Sequence, residues 1–445
     1  MSGAHERHGR IHRPRHKALG VPELIAIALG GMVGGGIFTI LGIAVAMIGV
    51  LTPLAILAGG LLALLAAYSY VKLGVYYRDE GASYAFYKKT FPRTPFAASL
   101  IGWWVVFGYI STLALYAYTF ASYAISGSAW ADSDLLRKLV AGGVIALFTL
   151  INVWSVKGMG RAEDLMVYTK LVILVVIAFV LINHSSTTLP SLWRGGPHPG
   201  LLPVLIVSSV TFVAYEGFQL VINAVNEMSD PGRNIPRAIY TAIFLAVLVY
   251  VVIALGAILA IPFPEIIRNQ EYALASGSAG VLGHWGTDLV VLGALLATSS
   301  AISGTVFGAS RQMAEIAADG YLPACLASRH RRIPVNAILA MAVLAFALVL
   351  AGSLRVILEF GSVTFLLVSM LMGHANFRMR HLTGSSTSLT LAAIAGLLLG
   401  TALILYYEFT YQPRQLLFVG GIYLLLTLGA WLYAHYARQT DTKTQ

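Results

Sequence analysis

The chain has 445 residues, of which 58% are hydrophobic and only 11% are charged, and its formal net charge is +10. Soluble proteins carry about 25% charged residues, so this composition excludes an ordinary soluble enzyme and indicates a multi-pass membrane protein. The single cysteine, Cys325, excludes an internal disulfide.

Turn-rich or charged breaks divide the sequence into twelve apolar segments of about 20 residues or more. Helices are expected because a lipid-exposed backbone must satisfy its own hydrogen bonds. The predicted spans are 19–48, 52–76, 96–127, 138–156, 162–183, 202–228, 237–262, 287–317, 335–353, 356–375, 387–407 and 415–437.

An even number of spans places both termini on one side of the membrane. If that side is cytoplasmic, 22 lysines and arginines fall in inner segments and 6 in outer segments. This asymmetry predicts a multi-pass protein of the plasma (inner) membrane with both tails, 1–17 and 438–445, in the cytoplasm. It also explains the basic net charge without a nucleic-acid partner.

The N-terminal tail has a spacing of its own, because His8, His12 and His16 recur every four residues. On a helix these side chains would share one face and could hold a metal ion. A basic tail attracted to anionic membrane lipid is the favoured interpretation. No metal site is therefore predicted.

Two spans are interrupted near their middles. The first contains "GGMVGGGIF" (30–38), and the sixth contains Gly217 directly after the acidic Glu216. The two spans are five positions apart, and spans separated by an odd number cross the membrane in opposite directions. The pattern therefore predicts two inverted five-helix repeats, 18–183 and 202–375. Two extra spans follow within 387–437. Broken helices expose ends that suit the carboxylate and ammonium of an amino acid. The alternative is that the glycines only permit close helix packing.

Several motifs resemble those of the amino acid–polyamine–organocation transporter family. "GGGIF" (34–38) is similar to the family's glycine-rich motif in helix one, and "FVAYEGF" (212–218) to its helix-six motif. "NEMSDPGRNIPRAI" (226–239) resembles the loop that follows. The resemblance implies an all-α, LeuT-like inverted-repeat fold of twelve transmembrane helices with broken helices one and six, and substrates that are amino acids or related amines.

The predicted substrate site lies at the two breaks. Phe212 could act as an outer lid, and Tyr109 on the third span could face the cavity. The candidate substrate-binding residues are Gly34, Gly35, Gly36, Ile37, Tyr109, Phe212, Tyr215, Glu216, Gly217 and Phe218.

Lys170 lies within the fifth span, nine residues after Arg161, which is roughly 13 Å along a helix. A lysine near mid-membrane costs about 2.5–3.5 kcal/mol to insert. One interpretation is snorkelling or a static ion pair with Glu216; the other is a group that loses and regains a proton during transport.

The family resemblance favours the second interpretation. In some prokaryotic members, a helix-five lysine amine occupies the position that a sodium ion takes in sodium-coupled relatives. The matching elements here are Lys170, the carbonyls of Met32–Gly35, and Ser299 and Ser300 on the eighth span. The resemblance implies coupling to protons and no sodium site at Lys170.

Glu216 has three possible roles. It could receive a cationic side chain or second amine, it could be a second protonatable group, or it could be a protonated carboxyl bonded to freed backbone. The first role would favour arginine, lysine, ornithine or a polyamine as substrate.

The leading hypothesis is a secondary active transporter, a proton-coupled amino acid symporter that works by alternating access. One alternative is an exchanger of cationic amino acids or polyamines, and another is a non-transporting amino-acid sensor. The sequence has no HExxH, GxSxG or P-loop motif, so neither catalysis nor ATP-driven transport by this chain is expected. The expected partners are a small-molecule substrate and membrane lipid. No cofactor is predicted, and the oligomeric state is left open.

Overall fold

A computed structural model of the chain describes residues 19–154, 156–185, 187–195, 199–330 and 333–441. These residues form helices and no extended β-strand, and ten helical stretches among them are long and apolar enough to cross a membrane. Val21–Met32 and Val335–Ala351 are shorter apolar helices. The histidines of the tail, His8, His12 and His16, lie outside the described residues.

The α-helices are numbered here in chain order. They are α1 (Val21–Met32), α2 (Gly36–Ile48), α3 (Thr52–Tyr77), α4 (Ala82–Thr90), α5 (Pro95–Ile125), α6 (Asp134–Trp154), α7 (Val156–Asn183), α8 (Leu189–Gly195), α9 (Leu201–Val210), α10 (Leu220–Asn223), α11 (Pro231–Ala260), α12 (Phe263–Arg268), α13 (Ala273–Ala318), α14 (Val335–Ala351), α15 (Leu354–Thr383), α16 (Thr387–Tyr411) and α17 (Pro413–Asp441).

Each of the twelve predicted spans has a helical counterpart. Two helices, α1 and α2, make up the first span, while α9, a 3-10 turn (Thr211–Tyr215) and α10 make up the sixth. The other spans are α3, α5, α6, α7, α11, α13, α14, α15, α16 and α17. The predicted all-helical fold with interruptions in the first and sixth spans is therefore confirmed.

The turn between α15 and α16 illustrates how the sequence sets the helix ends. Gly384, with φ 60°, caps the end of α15 in the left-handed conformation that glycine adopts without strain. Two residues later, the hydroxyl of Ser386 accepts a hydrogen bond from the backbone N–H of Leu389 and caps the start of α16. This chemistry produces a tight antiparallel pair.

The loops contain more helix than the sequence predicted. Short helices α4, α8 and α12 occupy segments that were expected to be loops, and α13 begins at Ala273, well before the predicted start at 287. Gly283, with φ 65°, marks the kink where the two parts of α13 join. These elements lie outside the long apolar runs, so hydropathy gave no signal for them.

The centre of the bundle is α1, which packs against α7, α11 and α13. We call the face of the bundle at which α1 begins the N-terminal face, and the other the opposite face. At the N-terminal face, Leu19 exchanges backbone hydrogen bonds with the segment after α10: its N–H donates to Glu227 at 2.9 Å, and its carbonyl accepts from Ser229 at 3.1 Å. The first and sixth spans are thus joined directly at that face.

Candidate functional site

The first break separates α1 from α2 by three residues, 33–35. Val33, with φ −82° and ψ 72°, leaves the helical conformation, so the last carbonyls of α1 have no following turn to bond to. Such groups must find partners from elsewhere when no water is present. In this protein the carbonyl of Met32 accepts from the N–H of Gly34 at 2.9 Å, and side chains on neighbouring helices supply further partners.

Lys170, on α7, supplies the charged partner. Its ammonium donates to the carbonyl of Gly30 at 3.1 Å, to the carbonyl of Val33 at 2.6 Å and to the hydroxyl of Ser300 on α13 at 3.3 Å. The side chain is fully buried, with 0% exposure. A positive charge at a helix C-terminus is favourable because the helix dipole and free carbonyls are negative there.

Two tyrosines bond to the carbonyls that lie between those of Gly30 and Val33. Tyr116 on α5 donates its hydroxyl proton to the carbonyl of Gly31 at 2.8 Å. Tyr250 on α11 reaches both breaks, since its hydroxyl lies 2.7 Å from the carbonyl of Met32 and 3.1 Å from that of Ala214. The end of α1 is therefore held by four carbonyl contacts from three different helices.

The second break follows the 3-10 turn Thr211–Tyr215. Glu216 is extended (φ −68°, ψ 139°), and Gly217 has φ 125°, a conformation that other residues adopt only under strain. A Cβ at Gly217 would lie 2.5 Å from the carbonyl carbon of Gly31 and 2.6 Å from the N atom of Met32. The two interrupted spans thus meet backbone to backbone, and only glycine fits between them.

The glycines of the first break also provide close packing. A Cβ at Gly34 would lie 2.6 Å from the Cβ of Ala301, and one at Gly36 would lie 2.9 Å from the Cα of Ala214. Gly35 faces Thr119 in the same way. Helix interruption and close packing, which the sequence presented as alternatives, therefore occur together.

Glu216 forms a small polar network with two other side chains. Its Oε2 accepts from the amide of Gln219 at 2.7 Å, and the same amide nitrogen donates to the hydroxyl of Tyr109 at 3.1 Å. The amide oxygen of Gln219 accepts from the N–H of Gly217. The carboxyl is 2% exposed, and its Oε1 has no hydrogen-bond partner among the described residues.

The aromatic residues of the sixth span are buried, and two of them contact neighbouring helices. Tyr215 donates its hydroxyl proton to the carbonyl of Ile56 on α3 at 2.7 Å, and its ring packs against that of Tyr250. Phe218 meets the ring of Tyr70 edge to face at 5.3 Å. Phe212 is fully buried in this conformation.

The carbonyls of Met32–Gly35 were expected as partners of Lys170. That of Val33 contacts the ammonium, that of Met32 accepts from Tyr250, and the carbonyl of Gly30 is an additional partner of Lys170. Ser300 contacts the ammonium as expected, whereas Ser299 is partly exposed on the same helix. Ile37 is buried in the first turn of α2.

Sequence reasoning missed three contributors to the site. Tyr116 lies seven residues after the predicted Tyr109, which places both on one face of α5, and Gln219 follows Glu216 by three. Those two spacings could have identified them. Tyr250 gave no local signal, since its role depends on how α11 packs against both breaks.

Taken together, these features define a class of protein: a multi-pass helical transport protein whose two interrupted spans meet inside the membrane. Residues 19–423 match the family model described as amino acid permease, and the chain belongs to that family. The expected resemblance to amino acid–polyamine–organocation transporters is thereby confirmed. The protein is a membrane-embedded amino acid transporter and not an enzyme.

Individual relatives extend over most of the chain. An uncharacterised protein of Methanocaldococcus jannaschii is 32% identical over 313 residues, which cover 69% of this chain and 70% of that protein. The inner membrane transport protein YbaT of Escherichia coli is 29% identical over 419 residues, covering 92% and 95%. A mitochondrial cationic amino acid transporter 3 of Arabidopsis thaliana is 25% identical over 347 residues, covering 73% and 56%.

Proposed function

We propose that the protein is a proton-coupled amino acid symporter that works by alternating access, with substrate bound at the two breaks. The observation that carries this proposal is the Lys170 ammonium, buried against the carbonyls of Gly30 and Val33. It occupies a position where the end of α1 attracts a cation. Because the Lys170 ammonium already supplies a positive charge at the end of α1, no sodium ion is needed at that position.

Proton exchange at Lys170 would then control α1. When the amine is charged, it holds the end of α1 against α7 and α13. When it loses its proton, the attraction to the carbonyls weakens, and α1 is released to tilt against the rest of the bundle.

The substrate would lie across the two breaks. The first turn of α2, which contains Gly36 and Ile37, directs backbone N–H groups back toward the break, and these suit a carboxylate. The 3-10 turn of the sixth span presents carbonyls that suit an ammonium. Gly34, Gly35, Phe212, Tyr215, Gly217 and Phe218 would shape the cavity between them.

One observation supports the second candidate function, an exchanger of cationic amino acids or polyamines. Glu216 is buried with one oxygen unpartnered among the described residues, and a carboxylate so placed suits a second amine. A relative named as a cationic amino acid transporter is consistent with this reading. Tyr109 and Gln219 would then position the carboxylate.

We further propose that the N-terminal face is cytoplasmic and that the protein lies in the plasma membrane. The excess of lysine and arginine in the loops of that face supports this orientation. A relative named as an inner membrane transport protein supports the location.

The decisive experiment is uptake into liposomes containing the purified protein, with a panel of amino acids and amines, with and without a pH gradient. Wild-type protein should accumulate its substrate when the outside is acidic. Lys170→Ala should lose that accumulation while still unfolding cooperatively on heating. The matched control is Lys89→Ala, which removes an exposed lysine at the N-terminal face and should leave accumulation unchanged.

Other outcomes separate the alternatives. Unchanged acid-driven accumulation in Lys170→Ala would overturn proton coupling through this lysine. Strong stimulation by substrate inside the liposome, inhibition by cationic amines and loss of that inhibition in Glu216→Gln would identify the exchanger. Binding of an amino acid without counterflow would identify a sensor.

A further inference from the structure

Two more carboxyl groups are buried in α15 and α16, outside the two breaks. Glu359 lies in the second turn of α15, and Glu408 lies three residues before the end of α16. Their exposures are 2% and 0%. Because α15 begins and α16 ends at the opposite face, both carboxyls lie near that surface, and the two helices pack along each other.

The hydrogen bonds available to this pair are too few for two ionised groups. Arg355 donates through Nε to Oε1 of Glu359 at 3.0 Å. Oε2 of Glu359 and both carboxyl oxygens of Glu408 have no hydrogen-bond partner within the described part of the chain. A buried carboxylate without a partner is strongly destabilising, so three unpartnered oxygens call for a ligand or a proton.

The charges around the pair do not balance either. Arg355 is 29% exposed, and it also bonds to the hydroxyl of Tyr407. The hydroxyl of Tyr423, on α17, is held by Thr364 and lies within electrostatic range of Glu408.

Of the remaining helices near the pair, only α17 adds a charge, the exposed Arg414 in its first turn, which forms no ion pair with either carboxyl in the described part of the chain. The helix α9 carries no titratable side chain, the titratable groups of α3 lie toward the N-terminal face, and α2 contributes Met47. One arginine therefore faces two carboxyls.

We propose that Glu359 and Glu408 form a proton-binding site near the opposite face of the protein, in which Glu408 holds the proton. Arg355 balances the charge of Glu359, and Glu408 carries the proton as a neutral carboxylic acid. Glu408 lies within electrostatic range of Glu359, so the charge of one disfavours the charge of the other. The site is separate from Lys170 and does not depend on the proposed coupling there.

A proton fits this site better than a metal ion. A metal ion needs several oxygen ligands, and one oxygen of the pair is already bonded to Arg355. The described residues contain no group of three or more acidic, histidine or cysteine side chains arranged to hold a metal. A proton needs only one oxygen, and the unpartnered carboxyl of Glu408 supplies it.

Infrared difference spectroscopy of the full-length protein in lipid nanodiscs tests this proposal without using transport. The wild type at neutral pH should show the carbonyl stretch of a protonated carboxylic acid, and the band should vanish as the pH is raised. Glu408→Gln should lose the contribution of this site. Asp134→Asn, which removes an exposed carboxylate at the same face, should leave the band and its pH dependence unchanged.

Glu359→Gln should shift the pH dependence of the band, whereas Glu408→Gln should remove the contribution of this site. Glu359→Gln removes the negative neighbour and frees Arg355, so the band should persist in acid and disappear at a lower pH than in the wild type. If Glu408→Gln fails to fold, the wild type and Glu359→Gln still decide the question. A band that is identical in the wild type, Glu408→Gln and Glu359→Gln would overturn the proposal, as would thermal stabilisation by sodium that Glu408→Gln abolishes.

Discussion

Replacing Gly217 with alanine is the most direct test of how the two interrupted spans meet. The backbone at Gly217 has φ 125°, where a residue with a side chain is strained by about 1–3 kcal/mol. The added Cβ would also lie 2.5 Å from a backbone carbon of Gly31, and backbone cannot rotate out of the way. Overpacking of this kind costs about 1–3 kcal/mol more.

Together these effects should destabilise the folded protein by about 2–6 kcal/mol. Gly143→Ala, on α6, is the matched control, because nothing lies within 4 Å of its Cβ; it should be neutral or stabilise by up to about 1 kcal/mol. Gly31→Ala should fall between the two. Its Cβ would lie 2.6 Å from the end of the flexible Leu220 side chain, which can move, and 3.1 Å from the Cα of Gly217, which can give less easily.

Thermal unfolding in detergent, followed by intrinsic fluorescence, gives this order directly. We expect the unfolding temperature of Gly217→Ala to be lowest, that of Gly31→Ala to be intermediate and that of Gly143→Ala to equal or exceed the wild type. Liposome uptake by Gly217→Ala should fall as well, since the contact joins the proposed substrate site. Equal unfolding temperatures for Gly217→Ala and Gly143→Ala would refute the reasoning.

Three further predictions concern other parts of the protein. The exposed Cys325, between α13 and α14, should not react with a membrane-impermeant maleimide in intact cells but should react after permeabilisation. A cysteine introduced by Ser128→Cys, at the opposite face, should react in intact cells. The reverse pattern would mean that the proposed orientation is inverted. Tyr250→Phe should lower the free energy of unfolding by about 0.5–1.5 kcal/mol, measured by denaturant titration, because the hydroxyl's bond to the carbonyls of Met32 and Ala214 is lost while that of Met32 still accepts from the N–H of Gly34; no change would show that the hydroxyl is not needed. Burial raises the pKa of Glu271, in the segment before α13, so the folded state holds this proton more tightly than the unfolded state does. The stability of the folded protein should therefore fall as the pH rises above the ordinary carboxyl range. The unfolding temperature of Glu271→Gln should not show this fall.

Much of the architecture was predictable because membrane spans leave a strong signal. Twenty apolar residues between charged turns mark a helix, and a glycine cluster or Glu216–Gly217 inside such a run marks an interruption. Lys170 could also be identified from the sequence, because a charged side chain inside a membrane span is costly and therefore marks a functional or structural site. The short helices such as α4 and α12 were not, since they lie outside the apolar runs and gain their stability from packing.

The partners at the first break could be predicted only in part. Val33 leaves the helical conformation, so its carbonyl does not follow the direction of those in α1. Lys170 reaches the carbonyls of Gly30 and Val33, and Tyr250 reaches that of Met32. Sequence spacing gave the region of the contact, but the rotation of α1 relative to α7 and α11 decided which carbonyl meets which donor.

The four carbonyl contacts at the end of α1 are not equivalent in what they can do. Tyr116 and Tyr250 are neutral donors whose bonds persist at any physiological pH, so they fix the helix end without switching it. The ammonium of Lys170 is the donor among them whose charge can change, and it holds Gly30 and Val33 on either side of the tyrosine contacts. If proton binding moves α1, the movement must start at Lys170, and the tyrosines must either turn with the helix or break their bonds. Phenylalanine at both positions would then lower stability yet make α1 easier to release.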